Sequence, residues 1–484
     1  MKKILFYGWL CLFLTSCFQK SDNRYLENMD KNSSIEIPFY DIEDLNFEVF
    51  DHASKHSDTT HYNKTYNPKV FLEEFYKPWR ADRPALDTTQ IKDLWKEYFT
   101  YTLGIAQKSP CYSGNLQEYS KKQIQIVQDN LPKKPNQDFL TPQFYGITTQ
   151  TTDVRALPTN EYCFKNIQNP GEGYPFDYLQ YTTLWTGTPL VVLAISKDQM
   201  WYFVESTYSK GWIKSKHIAK VSSQQIHEIT QLPKVTVMGD HMLLKGNYTN
   251  YQVHTGTLLP YDNTTKQILY PVKSVTDNQL IFDKIKTTST LIKPFPISFT
   301  KKNVKTILSQ MLGGKYSWGG IDGGRDCSST LKDYFTPFGI WMPRNSNKQQ
   351  AIGKTISLEE KSANEKNELI KSQGLPFLST LYLPGHIVLY VGANKKNSKM
   401  QIYHAKWGLK MFHSNSELYK VNQLRGRYGI YGLREKPNKN IETRFIIGKT
   451  VITDLDIDKP IREASNLQSK NFIKHLQTLS HPSM

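Results

Sequence analysis

This 484-residue sequence lacks several features that would place it in a common class. Beyond residue 16 it has no apolar run approaching the roughly 20 residues that a membrane-spanning helix needs. It has no cluster of Lys and Arg interleaved with aromatic residues, so nothing marks a nucleic-acid surface. Acidic residues are outnumbered, 44 against 61 basic ones. The net charge of +17 says nothing about fold, but it is a weak indication of an anionic envelope or cell wall.

The N-terminus reads as an export signal. In "MKKILFYGWLCLFLTSC", Lys2 and Lys3 precede an apolar run and small residues that end at Cys17. This pattern is typical of a secretory signal and is too short for a lasting transmembrane span. Its last four residues resemble the bacterial lipoprotein cleavage box, in which the Cys becomes the lipid-carrying N-terminus. We therefore expect a signal peptide at 1–16 and lipidation at Cys17, which would hold the protein at a membrane surface. The alternative is an ordinary cleaved signal with an unrelated Cys.

The number of cysteines limits the roles that their thiols can have. Of five cysteines, Cys11 leaves with the signal and Cys17 would be acylated, so Cys111, Cys163 and Cys327 remain. An odd number means that at least one is unpaired within the chain. Cys111 and Cys163 could form a disulfide, although the sequence does not settle this. A third thiol kept in an exported protein favours a catalytic role.

Changes in residue composition and in the periodicity of apolar residues divide the chain into segments. We expect a multidomain α+β protein with a polar tether at 17–65, a helical segment at 66–142, small β-barrels at 143–228 and 229–298, an α+β domain at 299–436, and a tail at 437–484. Helical spacing is carried by two groups of apolar residues, namely Ile91, Leu94, Trp95, Tyr98 and Phe99, and Val304, Ile307, Leu308 and Met311. The tail is either a strand at "TRFIIGKTVI" with a short helix or mostly disordered.

The stretch "YSWGGIDGGRDCSSTL" places Cys327 at a helix start. Leu331, Tyr334, Phe335 and Phe338 follow at i, i+3, i+4 and i+7, which predicts a helix face. In the first turn of a helix, free N–H groups and the helix dipole stabilise a thiolate and lower the thiol pKa. The glycines before it let backbone and substrate approach closely.

Two histidines complete this constellation. His386 opens the apolar strand "GHIVLYVG", and His404 lies near the end of the next strand, "MQIYHAKWG". A neighbouring antiparallel strand could bring His404 to the far ring nitrogen of His386, the orienting position of a catalytic triad. Each residue alone is more often structural than catalytic. A zinc site is the main rival, but the three positions lack metal-ligand spacing.

These pieces resemble the NlpC-type papain-like cell-wall peptidases. The matching motifs are "YSWGG…DCSSTL", "MPRNSNKQQ", "LPGHIVLYVG" and "YHAKWG", in family order. Upstream, "DVRALPT", "GYPFDYLQ" and "MWYFVEST…GWI" resemble the first SH3-like domain of a lipoprotein subgroup with a helical N-terminal clip and two such domains. There are two departures from the family pattern: Ser329 stands where many relatives have Gly, and His404 as third residue polarises less than other partners, so it should chiefly orient the ring.

The resemblance implies hydrolysis of peptidoglycan stem peptides, commonly between γ-D-glutamate and the diamino acid. It implies Cys327 as nucleophile, His386 as general base and His404 as orienting residue. It also implies a pocket for the free amino group of L-alanine, for which our candidates are Asp326, Ser328, Tyr178, Asp177 and Trp318. We expect a monomer at the cell envelope that needs no metal or cofactor and binds no nucleic acid. The alternatives are a non-catalytic peptidoglycan-binding lipoprotein and another acyl transfer on the same fold.

Overall fold

The computed structural model describes residues 37–52, 61–80, 89, 111–132, 143–165, 171–413, 434–435, 441–463, 467–469 and 471–482. The signal segment, Cys17 and the predicted helix around Ile91–Phe99 lie outside these residues. Within them, no helix combines the length and the apolar character that crossing a bilayer requires. The chain forms separate sheets with attached helices, so the prediction of a multidomain α+β architecture is confirmed.

The first sheet occupies the segment predicted as the first barrel. Its seven antiparallel strands pair in the order β3-β2-β6-β5-β4-β1-β7. They are β1 (Phe144–Thr148), β2 (Thr152–Arg155), β3 (Gln180–Leu184), β4 (Pro189–Ile195), β5 (Trp201–Ser206), β6 (Lys210–Lys214) and β7 (Ile218–Val221). A disulfide joins Cys111 to Cys163, which resolves the pairing that the sequence left open. This bond ties the segment 111–132 to the long β2–β3 connection.

The second predicted barrel also contains strands in succession. A five-stranded sheet has the order β13-β12-β11-β8-β14, and a separate hairpin pairs β9 with β10. These strands are β8 (Lys234–Val237), β9 (Met242–Lys245), β10 (Asn250–Val253), β11 (Leu258–Asp262), β12 (Gln267–Lys273), β13 (Leu280–Ile285) and β14 (Ile292–Pro294).

The third unit is an eight-stranded antiparallel sheet, in the order β15-β22-β16-β17-β18-β20-β19 with β21 on β18. Its strands are β15 (Lys354–Ser357), β16 (Thr380–Leu383), β17 (His386–Ala393), β18 (Met400–His413), β19 (Arg434–Glu435), β20 (Ile441–Asp454), β21 (Leu467–Ser469) and β22 (Thr478–His481). The described helices of the whole chain are α1 (Glu48–His52), α2 (Lys69–Phe75), α3 (Lys121–Asn130), α4 (Ser223–Gln231), α5 (Lys301–Met311), α6 (Cys327–Phe335), α7 (Ser346–Gln349), α8 (Ala363–Gln373) and α9 (Lys459–Glu463).

Both predicted helix faces of this unit are buried. Val304, Ile307, Leu308 and Met311 of α5 are at most 1% exposed. The apolar residues after Cys327 are fully buried as well, although α6 ends at Phe335 and Phe338 lies in a following 3-10 turn. Burial of each such side chain stabilises the fold by about 1.5–3 kcal/mol.

The segment 437–484 is not a separate tail. The strand expected at "TRFIIGKTVI" is present as β20, and it pairs along β18 from Gln401↔Asp454 to His413↔Ile441. Further on, β22 inserts between β15 and β16. The boundary drawn at 436 therefore divides one sheet. The predicted boundary was wrong because the residue pattern of a strand does not show which other strand it pairs with.

The predicted tether also contributes to the core. Leu45, Phe47 and Phe50 are at most 5% exposed and belong to the cluster that contains α5 and α6. Phe47 stacks on Phe377 with ring centroids 4.7 Å apart. The burial of these apolar residues was not predicted, because they lie among polar residues and lack the regular spacing of a helix or strand.

A buried arginine joins the three units. Arg325, just before α6, donates to both oxygens of Asp240 at 2.6 and 2.8 Å and to Asp333 at 2.7 Å. Its guanidinium carbon also lies 5.3 Å from the ring centroid of Trp185, the residue that follows β3 of the first sheet. Because a buried charge is costly unless it is paired, these contacts fix the loop before Cys327 relative to both smaller sheets.

Candidate active site

Cys327 is the first residue of α6, as predicted. Asp326 is the N-cap, and its Oδ1 accepts the N–H of Ser329 at 2.9 Å, while the Asp326 N–H donates to the Ser329 hydroxyl at 2.9 Å. This reciprocal pair is a capping box, which satisfies backbone donors that the helix start leaves free. The local sequence "DCSS" thus determines where the helix begins and where the sulfur lies.

Arg344 holds this helix start, and the sequence analysis gave it no role. It is buried, and it donates to Asp326 Oδ2 at 2.6 Å, to the Ser328 hydroxyl at 2.7 Å and to the Thr182 hydroxyl at 2.6 Å. Thr182 belongs to β3, so this one side chain connects the first sheet to α6. The motif "MPRNSNKQQ" contains Arg344, but nothing in its spacing from Asp326 predicted the ion pair.

These contacts change the interpretation of Asp326 and Ser328. The Asp326 carboxylate accepts bonds from Gly319, Ser328, Ser329 and Arg344, which occupy both of its oxygens. Ser328 donates to Asp326 and accepts from Arg344. Both residues lie beside Cys327 as expected, but each is already engaged within the protein.

The thiol of Cys327 is protonated at neutral pH. Burial raises its pKa to about 11, and the neighbouring Asp326 carboxylate acts in the same direction. The N–H of Ile387, which donates to the sulfur, and the cations Lys406 and Arg344 oppose this rise but do not outweigh it. The expected lowering of the pKa by the helix start is therefore wrong for this structure, because burial has the larger effect.

His386 and His404 are in contact, as the strand order predicted. The Nε2 atom of His386 lies 2.9 Å from Nδ1 of His404, since β17 and β18 are antiparallel neighbours. Burial lowers the pKa of both rings well below 6.5, and Lys406 lowers both further, so both imidazoles are neutral. The helix α6 packs against β17, the strand that begins with His386. Between the described side chains of Cys327 and His386 there is no direct hydrogen bond.

This protonation state predicts slow, pH-dependent alkylation of Cys327. At pH 7 iodoacetamide should modify it about 300-fold more slowly than an ordinary thiol of pKa about 8.5, because a pKa of about 11 lowers the thiolate fraction by that factor. The rate should still be rising at pH 9.5. Peptide mapping by mass spectrometry would follow the modification, with the urea-unfolded protein as reference. A rate that levels off below pH 8 would show a thiolate–imidazolium pair instead.

Aromatic side chains form a wall where the first sheet meets the glycine-rich segment 316–325, the glycine loop. Trp318 contacts Tyr178 edge-on at 5.4 Å and lies 5.9 Å from Phe176, measured between ring centroids. Phe176 also meets Trp407 at 4.9 Å. Trp318 and Tyr178 are half-buried, so the wall has an accessible side. Trp318 and Tyr178 were predicted from the sequence, whereas Phe176 and Trp407 were not, because they become neighbours only through the tertiary fold.

Asp177 is not available to a substrate, which corrects that prediction. It is fully buried, and its Oδ1 accepts the N–H groups of Cys163 at 2.8 Å and Leu179 at 2.9 Å. Its Oδ2 pairs with Arg155. The turn-like sequence "PFDYLQ" shows that a polar residue is present, but it does not show that the ion-pair partner of this residue lies upstream in the chain.

One group of described residues could in principle hold a metal ion, namely Asp240, His241 and His254. Arg325 binds both oxygens of Asp240, and its positive charge opposes a second cation there. Cys327, His386 and His404 are not part of this group.

Comparison with known proteins agrees with this architecture. Residues 313–431 match the NlpC/P60 family model, and residues 163–214 match the model of an SH3 domain of the SH3b1 type. No curated protein matches the chain.

Two solved structures are similar. An NlpC/P60 endopeptidase from Photobacterium damselae subsp. piscicida aligns with a TM-score of 0.75 and 23% identity, over 93% of this chain and 98% of that one. An NlpC/P60 family protein from Bacillus cereus ATCC 10987 aligns with a TM-score of 0.42 and 13% identity, over 70% of this chain and 100% of that one. The first likeness shows a shared fold. Segments of this chain thus match the NlpC/P60 family model and the model of an SH3 domain of the SH3b1 type, and the chain shares its fold with an NlpC/P60 endopeptidase.

Proposed function

We propose that this protein is a cell-wall cysteine peptidase that cleaves peptidoglycan stem peptides. The observation that carries the proposal is the position of Cys327 at the start of α6, which packs against β17, with the His386–His404 pair on β17 and β18, inside the segment that matches the NlpC/P60 model. A nucleophile, a base and an orienting group are the parts that acyl transfer through a thiol requires.

The neutral resting state suggests how the reaction proceeds. Nδ1 of His386 takes the thiol proton as the sulfur attacks the carbonyl carbon of the scissile bond. The imidazolium then returns this proton to the leaving amine, and a thioester remains on Cys327. Water, deprotonated by His386, hydrolyses the thioester and restores the thiol. His404 stays bound to Nε2 of His386 throughout and fixes the orientation of the ring.

We propose that the bond cleaved links γ-D-glutamate to the diamino acid in stems with a free N-terminal L-alanine. The wall of Phe176, Tyr178 and Trp318 closes the space between the first sheet and the glycine loop, which suits a chain end better than a continuing peptide. The Tyr178 hydroxyl and the remaining lone pair of Ser328 are the groups proposed to meet the amino group. Asp326 acts mainly by holding α6.

The same proposal covers location and partners. Lipidation at Cys17 would anchor the protein to a membrane of the cell envelope, where its partner is peptidoglycan. The SH3 domain of the SH3b1 type fits attachment to the wall.

Digestion of soluble stem peptides, with product masses read by mass spectrometry, tests the substrate. We expect a new D-glutamate carboxyl terminus and a released peptide that begins with the diamino acid. An N-acetylated stem serves as the matched control, because it lacks the positive amino terminus, and it should be cleaved at least about tenfold more slowly. Cleavage at another bond, or equal cleavage of both stems, would contradict the substrate proposal.

A further inference from the structure

The chain of contacts from His386 continues beyond His404. The other ring nitrogen of His404, Nε2, lies 3.2 Å from the hydroxyl of Thr453. This residue is fully buried on β20, where His404 stands opposite Val451. Thr453 is two residues further along the strand, so its side chain lies on the same face of the sheet.

The hydroxyl proton of Thr453 is already used. It donates to the backbone oxygen of Asp454 at 3.1 Å. Since a hydroxyl has one proton, Thr453 can only accept from His404, and Nε2 of His404 must then carry the hydrogen. Its Nδ1 keeps the lone pair and accepts from Nε2–H of His386 at 2.9 Å.

The consequence reaches the base itself. A neutral imidazole that carries its hydrogen on Nε2 has its lone pair on Nδ1. In the opposite pattern Nδ1 of His386 would carry the hydrogen and could not take the proton from Cys327. A wrong tautomer at this position disables a catalytic histidine even when the geometry is intact.

We propose that Thr453 is a positioning residue that selects the Nε2–H tautomers of His404 and His386 and so keeps Nδ1 of His386 free as the base. This inference rests on the proposed function for its catalytic meaning. Thr453 lies outside the residues that match the NlpC/P60 model, in the segment that sequence texture separated from the catalytic domain.

Kinetics on stem peptides test the catalytic part. Thr453→Val keeps the shape but removes the hydroxyl, and kcat should fall by about 10-fold with KM unchanged, because one hydrogen bond sets the tautomer balance. Thr453→Ser should retain kcat within about twofold. Thr380→Val is the matched control, since Thr380 is a buried threonine in the same sheet whose hydroxyl has no hydrogen-bond partner among the described residues.

A substrate-free measurement separates this inference from the proposed function. In the full chain labelled with ¹⁵N-histidine, NMR should show His386 and His404 as Nε2–H tautomers in the wild type and in Thr453→Ser and Thr380→Val. Thr453→Val should show a mixture. If the tautomers are unchanged in Thr453→Val, or if Thr453→Ser is as impaired as Thr453→Val, the inference is overturned. If the wild type cleaves no stem peptide, the proposed function fails, and the tautomer result still decides the role of Thr453.

Discussion

Substitution of Cys327 by alanine will reduce stem-peptide cleavage by at least about 1,000-fold, because it removes the sulfur proposed to form the thioester. Cys111 and Cys163 are joined in a disulfide, so neither can replace the lost thiol. Substrate affinity should change little, since the sulfur bonds mainly in the transition state. Single-turnover digestion with mass spectrometry would measure the rate.

The same variant separates an enzyme from a binding protein. Its affinity for insoluble peptidoglycan in a sedimentation assay should equal that of the wild type, because the aromatic wall and the SH3 domain are unchanged. Cys327→Ser is the matched control for shape, and it should be nearly as inactive, since a hydroxyl is a poorer nucleophile than a thiol beside the same base. Undiminished cleavage by Cys327→Ala would refute nucleophilic catalysis by this residue.

Replacement of Arg344 by methionine should destabilise the protein by about 3–5 kcal/mol at pH 7, because it leaves the buried Asp326 carboxylate without its cation. Arg344 holds the pKa of Asp326 below its ordinary value. A depressed carboxyl pKa contributes stability above about pH 4 and loses it as the pH falls through the folded pKa. Without Arg344, burial raises that pKa, so the difference from the wild type should be largest near pH 7 and shrink toward pH 4. Urea unfolding at both pH values measures this.

A surface ion pair provides the matched control. Lys305 contacts Glu43, and their side chains are 40% and 79% exposed. Lys305→Met should therefore change the free energy of unfolding by less than about 1 kcal/mol. If Arg344→Met costs no more than this control at pH 7, then Arg344 does not stabilise the helix start in the way that its contacts indicate.

The features of the fold and the site that could be predicted from the sequence are those that depend on residues close together in the chain. The stripes of α5 and α6 follow from a 3.6-residue period, and the contact between His386 and His404 follows from two successive strands that pair. The start of α6 at Cys327 follows from its capping residue.

The parts that could not be predicted depend on residues brought together from far along the chain. Asp177 was predicted to be accessible because its partner Arg155 stands 22 residues upstream, on β2. The pKa of Cys327 was expected to fall because the helix start is visible in sequence, whereas the burial that raises the pKa is not. Arg344 and Thr453 were missed for the same reason, since each acts across two elements.

The contact between Tyr40 and Asp454, whose hydroxyl and carboxylate lie 2.8 Å apart, spans 414 residues of chain. Contacts this distant form late, because a large loop must close before they contribute. Each of the two smaller sheets pairs strands from one continuous stretch of chain, 144–221 for the first and 234–294 for the second, and can form first. The third unit, which contains Cys327, is therefore the slowest part to fold. Residues synthesised before the smaller sheets and residues synthesised after them must both pack into it before the environment of the His386–His404 pair is complete. A partly made chain would thus hold the thiol of Cys327 without the completed site around it.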